Sequence, residues 1–137
     1  MTGLTLTDVR AAIASVDDEF DRLEVDGVTY RMTPGLEEAA DGIHLLPGFD
    51  EYLLGYADRT AQLAGHPLTD VVPGGNGMFL ATIVVNGEIA GTWRRTVTAQ
   101  GVALQPSPWG TLSARAQKGF DAAARRYADY LGVPLLS

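Results

Sequence analysis

The sequence predicts an α+β protein in which a helix and a β-hairpin precede a small antiparallel sheet and a long C-terminal helix. Apolar residues recur at helical spacing near both ends of the chain. Strand-like runs meet at Asp26-Gly27 and again at Asn86-Gly87, two dipeptides that favour tight hairpin turns. With 137 residues, 46% of them hydrophobic and 20% charged, the chain has the composition of a folded domain.

The first predicted element is a short amphipathic helix over residues 6–16. Thr5 and Asp8 have the spacing of a capping box, in which a hydroxyl and an acid three residues later satisfy the first free N–H groups. Apolar residues follow at helical spacing: Val9, Ala12, Ile13 and Val16. The hairpin around Asp26-Gly27 comes next. A helix followed by a hairpin forms the second half of a winged-helix motif, and it is also a common local arrangement in other proteins.

Thr33-Pro34-Gly35 interrupts the chain and suggests a boundary between a segment at 1–33 and a domain at 34–137. Beyond it we expect a single helical turn over 36–40 and a buried strand over 43–46. Asp50 is placed to cap a short helix that carries Tyr52, Leu53 and Leu54. Glycine and proline are frequent in 60–77, which predicts irregular structure there.

The second half of the chain predicts a sheet and then a helix. We predict two strands, at 78–85 and 88–98, that meet at the second hairpin turn. A third strand is predicted at 102–104. We expect Pro106-Ser107-Pro108 to end the sheet. A helix over 111–131 follows, with one apolar face and Gly132 at its C-terminus.

Composition excludes several classes of site. The absence of cysteine rules out disulfides, thiolate zinc sites and a cysteine nucleophile, and two histidines give no basis for a metal or cofactor site. No segment resembles a membrane span or a signal peptide, so we expect a soluble, cytoplasmic protein. The net charge of −7 is uneven: residues 1–60 hold 13 acids against 4 arginines, whereas residues 61–137 hold 4 acids against 6 bases. A surface that faces phosphates therefore belongs to the second half.

Two features suggest contact with an anion. Arg94 and Arg95 are adjacent on a predicted strand, so their side chains should face opposite sides, either as ordinary surface or ion-pair residues or as phosphate contacts. Asn76 lies in the glycine-rich stretch 73–77. That stretch lacks the Lys-Ser/Thr of a P-loop and precedes a strand, so it is either a tight structural loop or a backbone contact for a phosphate.

Carboxylates near residue 50 allow two interpretations. Asp50 follows Phe49 and is most simply a helix cap, while Asp58 and Arg59 have apolar neighbours and suggest a buried structural pair. The alternative is that the carboxylates take part in acid–base catalysis. Spacing alone does not exclude it, but no nucleophile–base pair is visible in the sequence.

The run IHLLPGFDEYLLGYADR at 43–59 resembles a signature of the winged-helix DNA-binding-domain proteins. That family includes the bacterial DNA glycosylases that excise bulky alkylated and crosslinked bases. Residues 72–77, the later GTWRRT at 91–96, and the opening residues 2–8 are similar to further stretches of the same family. The resemblance extends over nearly the whole chain.

The resemblance implies a particular domain organisation. Proteins of this family are longer, with tandem winged-helix units followed by a barrel-like β-domain. This chain is similar to the end of the last winged helix, at 1–33, and to the domain that follows, at 34–137. The family's catalytic glutamine motif lies upstream of the matching part. The four glutamines here, at positions 62, 100, 105 and 117, do not have its spacing, so no catalytic residue is assigned and the enzymatic status is left open.

The resemblance also implies DNA contact for Arg94 and Arg95. We add Asn76 of the glycine-rich stretch as a candidate DNA contact, and we expect a structural role for the motif residues Phe49, Asp50, Asp58 and Arg59. We expect a DNA-associated module that is not catalytic by itself and that binds DNA weakly or through a larger protein. The alternative is a structural or interaction domain that assembles with another chain or with itself. An independent small-molecule enzyme is a third hypothesis, for which only the carboxylates at 50–58 offer a site.

Overall fold

The computed structural model describes residues 3–25, 27–36 and 42–136, and it divides the chain into two compact units, residues 1–39 and 40–137. The helical turn expected at 36–40 lies almost wholly outside the described residues. None of the described helices is long and apolar enough to cross a lipid bilayer.

The first unit contains one helix and one hairpin. Its elements are α1 (Leu6–Ser15), a 3-10 turn (Asp17–Glu19), β1 (Asp21–Val25) and β2 (Val28–Met32). The predicted capping box is present: the Thr5 hydroxyl accepts a hydrogen bond from the Asp8 N–H, and the Asp8 carboxylate accepts from the Thr5 N–H at 2.9 Å. The hydrogen bond from the Thr5 hydroxyl lowers the pKa of Asp8. In the turn between the strands Gly27 has φ +78°, a conformation that favours glycine.

The second unit is built on an antiparallel sheet of four strands in the order β3-β4-β5-β6. The elements are β3 (Ile43–Leu46), α2 (Glu51–Leu54), α3 (Thr60–Leu63), 3-10 turns at Leu68–Asp70 and Pro73–Gly75, β4 (Thr82–Val85), β5 (Glu88–Thr98), β6 (Gly101–Pro108) and α4 (Ala114–Leu131). Asn86 and Gly87 both have positive φ in the β4–β5 turn, as a type I′ turn requires.

Two hydrophobic clusters cover the two faces of this sheet. Neighbouring residues of β4 point to opposite sides: Ile83 belongs to one cluster and Val84 to the other. The Ile83 cluster includes Trp93 and receives Phe120 and Ala124 from α4. The Val84 cluster packs against α2, α3 and the irregular segment, through Leu53, Leu63, Val71 and Val72. The sheet is thus a middle layer between one long helix and a set of short turns.

Trp93 joins the sheet and the helix at one point. Its side chain is 7% exposed, and its Nε1 donates a hydrogen bond of 2.9 Å to the carbonyl oxygen of Leu46 at the end of β3. Its ring meets Tyr127 of α4 edge-on, with 5.8 Å between the ring centroids. Nearby, a Cβ at Gly119 would lie 2.3 Å from Ile43 Cγ1, so only glycine lets α4 approach β3 this closely.

Several boundaries differ from the sequence prediction, and α4, for example, begins at Ala114 rather than at 111. Residues 60–77 contain α3 as well as two 3-10 turns, and β4 begins at Thr82 rather than at 78. The strand β6 continues through Pro106 to Pro108, where an end was expected. It does so because β6 lies at the sheet edge, where a proline removes no N–H that a neighbouring strand needs. The chain end adds a parallel bridge between Val102 and Leu135.

Replacing Trp93 by phenylalanine tests the role of its hydrogen bond. We expect Trp93→Phe to lower the free energy of unfolding by about 2 kcal/mol, because the indole donor to Leu46 is lost and a void forms. Urea denaturation measures the change. Trp109→Phe is the matched control, since Trp109 lies partly exposed against the other cluster. Equal losses in the two variants would contradict a special role for Trp93.

Candidate nucleic-acid interface

The strands β5 and β6 extend beyond the rest of the sheet as a two-stranded ribbon. The register between β4 and β5 ends at Thr92 of β5. One residue further, the Trp93 N–H donates a hydrogen bond to the Ala81 carbonyl oxygen. From Arg94 to Thr98, β6 is the only strand among the described residues that pairs with β5. Residues 94–100 are all exposed. The ribbon therefore presents both arginines of the sequence prediction outside the layered core.

Arg95 is held on the α4 side of the ribbon. Its Nη1 donates a hydrogen bond to the Tyr127 hydroxyl, and its guanidinium carbon lies 6.0 Å from the centroid of the Tyr127 ring. Tyr127 in turn packs against Trp93. Alternation along β5 puts the side chains of Trp93 and Arg95 on the same side. The position of the Arg95 guanidinium is thus set by the core beneath it.

Arg94 lies on the opposite side of the ribbon, across from Gln105 in the strand register. Within the described part of the chain, no hydrogen bond or ion pair involves its side chain. Its guanidinium N–H groups therefore face solvent as donors in a planar fork that suits a phosphate. The two adjacent arginines differ in their surroundings: one is anchored to a helix and the other is not.

Asn76 lies in the 73–77 loop and not on the ribbon. Its side-chain oxygen accepts a hydrogen bond of 3.1 Å from the Met78 N–H, which stabilises the loop. Gly74, Gly75 and Gly77 all have positive φ, so the glycines serve the tight backbone path of this loop. Contact between Asn76 and DNA stays a prediction.

Comparison with known proteins identifies the family. A family model described as DNA glycosylase AlkZ-like matches residues 1–130. The chain belongs to the AlkZ-like DNA glycosylase family. No protein of curated function matches the sequence.

A solved structure shows the same fold. The structure of the Streptomyces sahachiroi DNA glycosylase AlkZ aligns with 98% of this chain at a TM-score of 0.69 and 23% sequence identity. The match spans only 38% of that protein's length. The AlkZ-like fold is therefore shown for this chain, over a part of the length of the solved glycosylase.

The motif residues at 49–50 shape one turn of this fold. Asp50 caps α2, as predicted: its carboxylate accepts a hydrogen bond of 2.9 Å from the Tyr52 N–H. Phe49 has φ +62°, an uncommon conformation for a bulky residue, and its side chain is 49% exposed. Its ring lies 6.3 Å from that of Phe79. At Gly48 a Cβ would come within 2.7 Å of the Phe79 carbonyl oxygen, so the two segments approach closely.

The expectation of a buried pair between Asp58 and Arg59 is wrong. Asp58 is exposed and accepts hydrogen bonds from the Thr60 N–H and hydroxyl, at 3.0 and 2.7 Å. Arg59 instead donates from Nε to the Leu53 carbonyl oxygen at 2.6 Å and lies over the Phe79 ring. The Asp58 carboxylate thus stabilises the start of α3, whereas the Arg59 guanidinium stabilises the end of α2.

The sequence does not predict the contact between Arg95 and Tyr127. Tyr127 fits the apolar face of the last helix, and nothing in its spacing signals that its hydroxyl reaches a residue 32 positions earlier. Nor does it predict that the rings of His66 and Trp109 lie together, with 4.1 Å between their centroids, or that His66 Nδ1 lies 3.4 Å from Asp70 Oδ2. In 3–25, 27–36 and 42–136, no group of three or more His, Asp or Glu side chains is arranged to hold a metal ion.

Asp58 provides a test with a defined pH dependence. The hydrogen bond from the Thr60 hydroxyl lowers the pKa of Asp58, so Thr60→Val should raise that pKa toward its ordinary value. A lowered native pKa adds stability above the ordinary carboxyl pKa, and that stability is lost as the pH falls through the native value. The stability difference between the variant and the parent should therefore shrink in acid. Carboxyl NMR titration measures the pKa, with Thr69→Val as control; an unchanged Asp58 pKa would contradict the assignment.

Proposed function

We propose that the chain is the DNA-contacting module of a glycosylase-like repair protein, and that it carries no base-excision activity by itself. In this proposal 1–33 is the second half of a winged helix and 34–137 is the domain that follows it. The main observation is the exposed ribbon with Arg94 and Arg95, in a chain of the AlkZ-like family. Arg94, Arg95 and Asn76 are the proposed contacts.

The shape of the ribbon supports this function. A two-stranded β-ribbon fits the major groove of duplex DNA, and exposed arginines on such a ribbon reach phosphates on either side. Residues 94–100 are exposed, and within 3–25, 27–36 and 42–136 no third strand pairs with β5 along this ribbon. The bases exceed the acids in 61–137, whereas the first 60 residues are strongly acidic. The ribbon therefore lies in the half of the chain whose charge suits DNA.

The two arginines suit different parts of the contact. Arg95 is already ordered by Tyr127, so less side-chain entropy is lost when it meets a phosphate. Arg94 keeps its donors free of protein partners among the described residues and is suited to form a new bidentate contact. Arg95 as a fixed cation and Arg94 as an adaptable one are together suited to bind DNA phosphates. Such contacts do not depend on the base sequence.

Base excision has chemical requirements that we do not expect this chain to meet. Excision requires that a base be flipped from the stack and held beside groups that position water and stabilise the developing sugar cation. The glutamine motif that the family resemblance associates with this step has no counterpart among the four glutamines here. Excision in a glycosylase-like protein of this kind is then assigned to residues outside the matched part.

Salt-dependent binding tests the DNA contact. We expect the chain to bind duplex DNA with an affinity that falls with salt, and the double variant Arg94→Ala/Arg95→Ala to reduce the magnitude of the log–log salt slope by about 2, one for each phosphate contact. Fluorescence anisotropy with a labelled duplex measures both quantities.

The matched control for this test is Arg125→Ala/Arg126→Ala. It removes two adjacent, exposed arginines on α4 and changes the net charge equally. If both double variants weaken binding to the same extent, the effect is one of net charge and the ribbon has no special role. Binding that is independent of salt would also contradict the proposal.

A second test concerns excision. The chain should release no base from alkylated duplex DNA, because none of its four glutamines has the spacing of the motif that the family resemblance associates with excision. Alkali cleavage of the incubated duplex detects abasic sites, and an active alkyl-base glycosylase serves as the positive control. Strand cleavage above the protein-free background would show that catalysis does reside in this chain.

A further inference from the structure

Phe49 combines an exposed ring with a backbone conformation that disfavours a bulky side chain. Its side chain is 49% exposed and its φ is +62°, in the left-handed region. Glycine or asparagine would form the same turn with less strain. Strained backbone of this kind is concentrated at positions that contact ligands. The turn alone therefore does not account for an aromatic residue at this position.

The contacts around Phe49 hold its ring in place. Directly after it, the Asp50 carboxylate caps α2. Directly before it, Gly48 lies so close to the Phe79 carbonyl oxygen that a Cβ would be within 2.7 Å. The Phe49 ring lies near that of Phe79, with 6.3 Å between the centroids and 54° between the planes. Phe49 thus presents a partly exposed aromatic ring on a well-anchored turn.

The pair of rings lies at the same end of the sheet as the ribbon. The strand register puts the end of β3, the start of β4 and the beginning of the ribbon side by side. Phe49 comes shortly after β3, Phe79 shortly before β4, and Arg94 is the first residue of β5 in the ribbon. Strand alternation turns Arg94 to the side of the Val84 cluster, against which Phe79 also packs. The two rings and Arg94 therefore belong to one face and one end of the sheet.

The charges near the two rings favour an anionic ligand. The Arg59 guanidinium carbon lies 5.6 Å from the centroid of the Phe79 ring. The acids that follow along the chain are turned to α2: the Asp50 carboxylate caps it, and a Cβ at Gly55 would lie 3.7 Å from a carboxylate oxygen of Glu51. An aromatic surface beside cations binds nucleotides well, because bases stack on the rings while the cations attract the phosphates. The chemistry of this face thus suits a nucleotide.

We propose that the Phe49 ring is a stacking site for an unpaired nucleobase in duplex DNA, such as a base displaced at a bulge. The inference rests on the proposed DNA contact by the ribbon and adds to it a preference for DNA with an unpaired base. Only a base outside the helical stack exposes its own face, so a fully paired duplex does not offer this contact. Stacking on an aromatic ring is open to every base, so the site does not select a base sequence.

Three labelled duplexes of one sequence test the proposal with the whole chain. The first is fully paired, the second has one unpaired thymine, and the third has an abasic nucleotide in place of that thymine. We expect the chain to bind the thymine duplex about tenfold more tightly than either of the others, a factor typical of one base stacked on an aromatic ring. The abasic duplex keeps the interruption of the helix and so separates stacking from the recognition of bent DNA. Fluorescence anisotropy gives the dissociation constants.

Variants at Phe49 locate the stacking site. Phe49→Ala should lower the affinity for the thymine duplex to that for the abasic one and leave the affinity for the paired duplex unchanged. Phe49→Leu keeps apolar bulk against Phe79 without a planar face and should also lose the preference, so the test holds even where Phe49→Ala does not fold. Phe49→Tyr should retain it.

Tyr56→Ala is the matched control. The Tyr56 side chain is 54% exposed, but it lies near Tyr52, whose hydroxyl donates a hydrogen bond to the Gly87 carbonyl oxygen at the opposite end of β4. Tyr56→Ala thus removes an exposed aromatic ring that is remote from the ribbon. It should keep the tenfold preference for the thymine duplex.

Several outcomes would overturn the proposal. They are equal affinity for the three duplexes, a preference that Phe49→Leu retains, and an equal loss of preference in Phe49→Ala and Tyr56→Ala. Equally tight binding to the thymine and abasic duplexes would show recognition of bent DNA without stacking and would also overturn it. Arg94→Ala/Arg95→Ala should weaken binding to all three duplexes and leave the preference in place, so the failure of the ribbon contact is distinguishable from the failure of the stacking site.

Discussion

The second unit depends on the burial of Trp93 between the sheet and α4. Its indole N–H reaches across to the Leu46 carbonyl and so ties the end of β3 to the centre of β5. Its ring supports Tyr127, which fixes α4 above the sheet. The close approach of α4 at Gly119 belongs to the same arrangement, because a larger residue there would push the helix away from Ile43. A change at Trp93 therefore affects a strand pair, a helix and the base of the ribbon together.

The asymmetry between Arg94 and Arg95 follows from that burial. Because Trp93 faces the helix, strand alternation places Arg95 on the same side and within reach of the Tyr127 hydroxyl, and turns Arg94 to the other side. Two identical residues in sequence thereby become one ordered and one adaptable cation. The structural core and the proposed DNA contact are coupled through a single tyrosine.

The two units of the chain stand in contrast. The second has a sheet covered on both faces, whereas the described residues of the first include none that is buried. Their charges also differ, with acids concentrated in the first and bases prevailing later. The solved glycosylase of similar fold is longer than this chain, which spans 38% of its length.

Local chemistry determined much of this structure from the sequence alone. The capping box at Thr5, the cap at Asp50, the turn at Asn86-Gly87 and the C-terminus of α4 at Gly132 all depend on residues within a few positions of each other. Tertiary structure decided the rest. Pro106 lies in a strand because β6 is an edge, and Arg59 does not pair with Asp58 because its guanidinium instead contacts the Leu53 carbonyl oxygen and the ring of Phe79, which a distant part of the chain brings to it. Contacts of that kind depend on packing between elements, which no local pattern encodes.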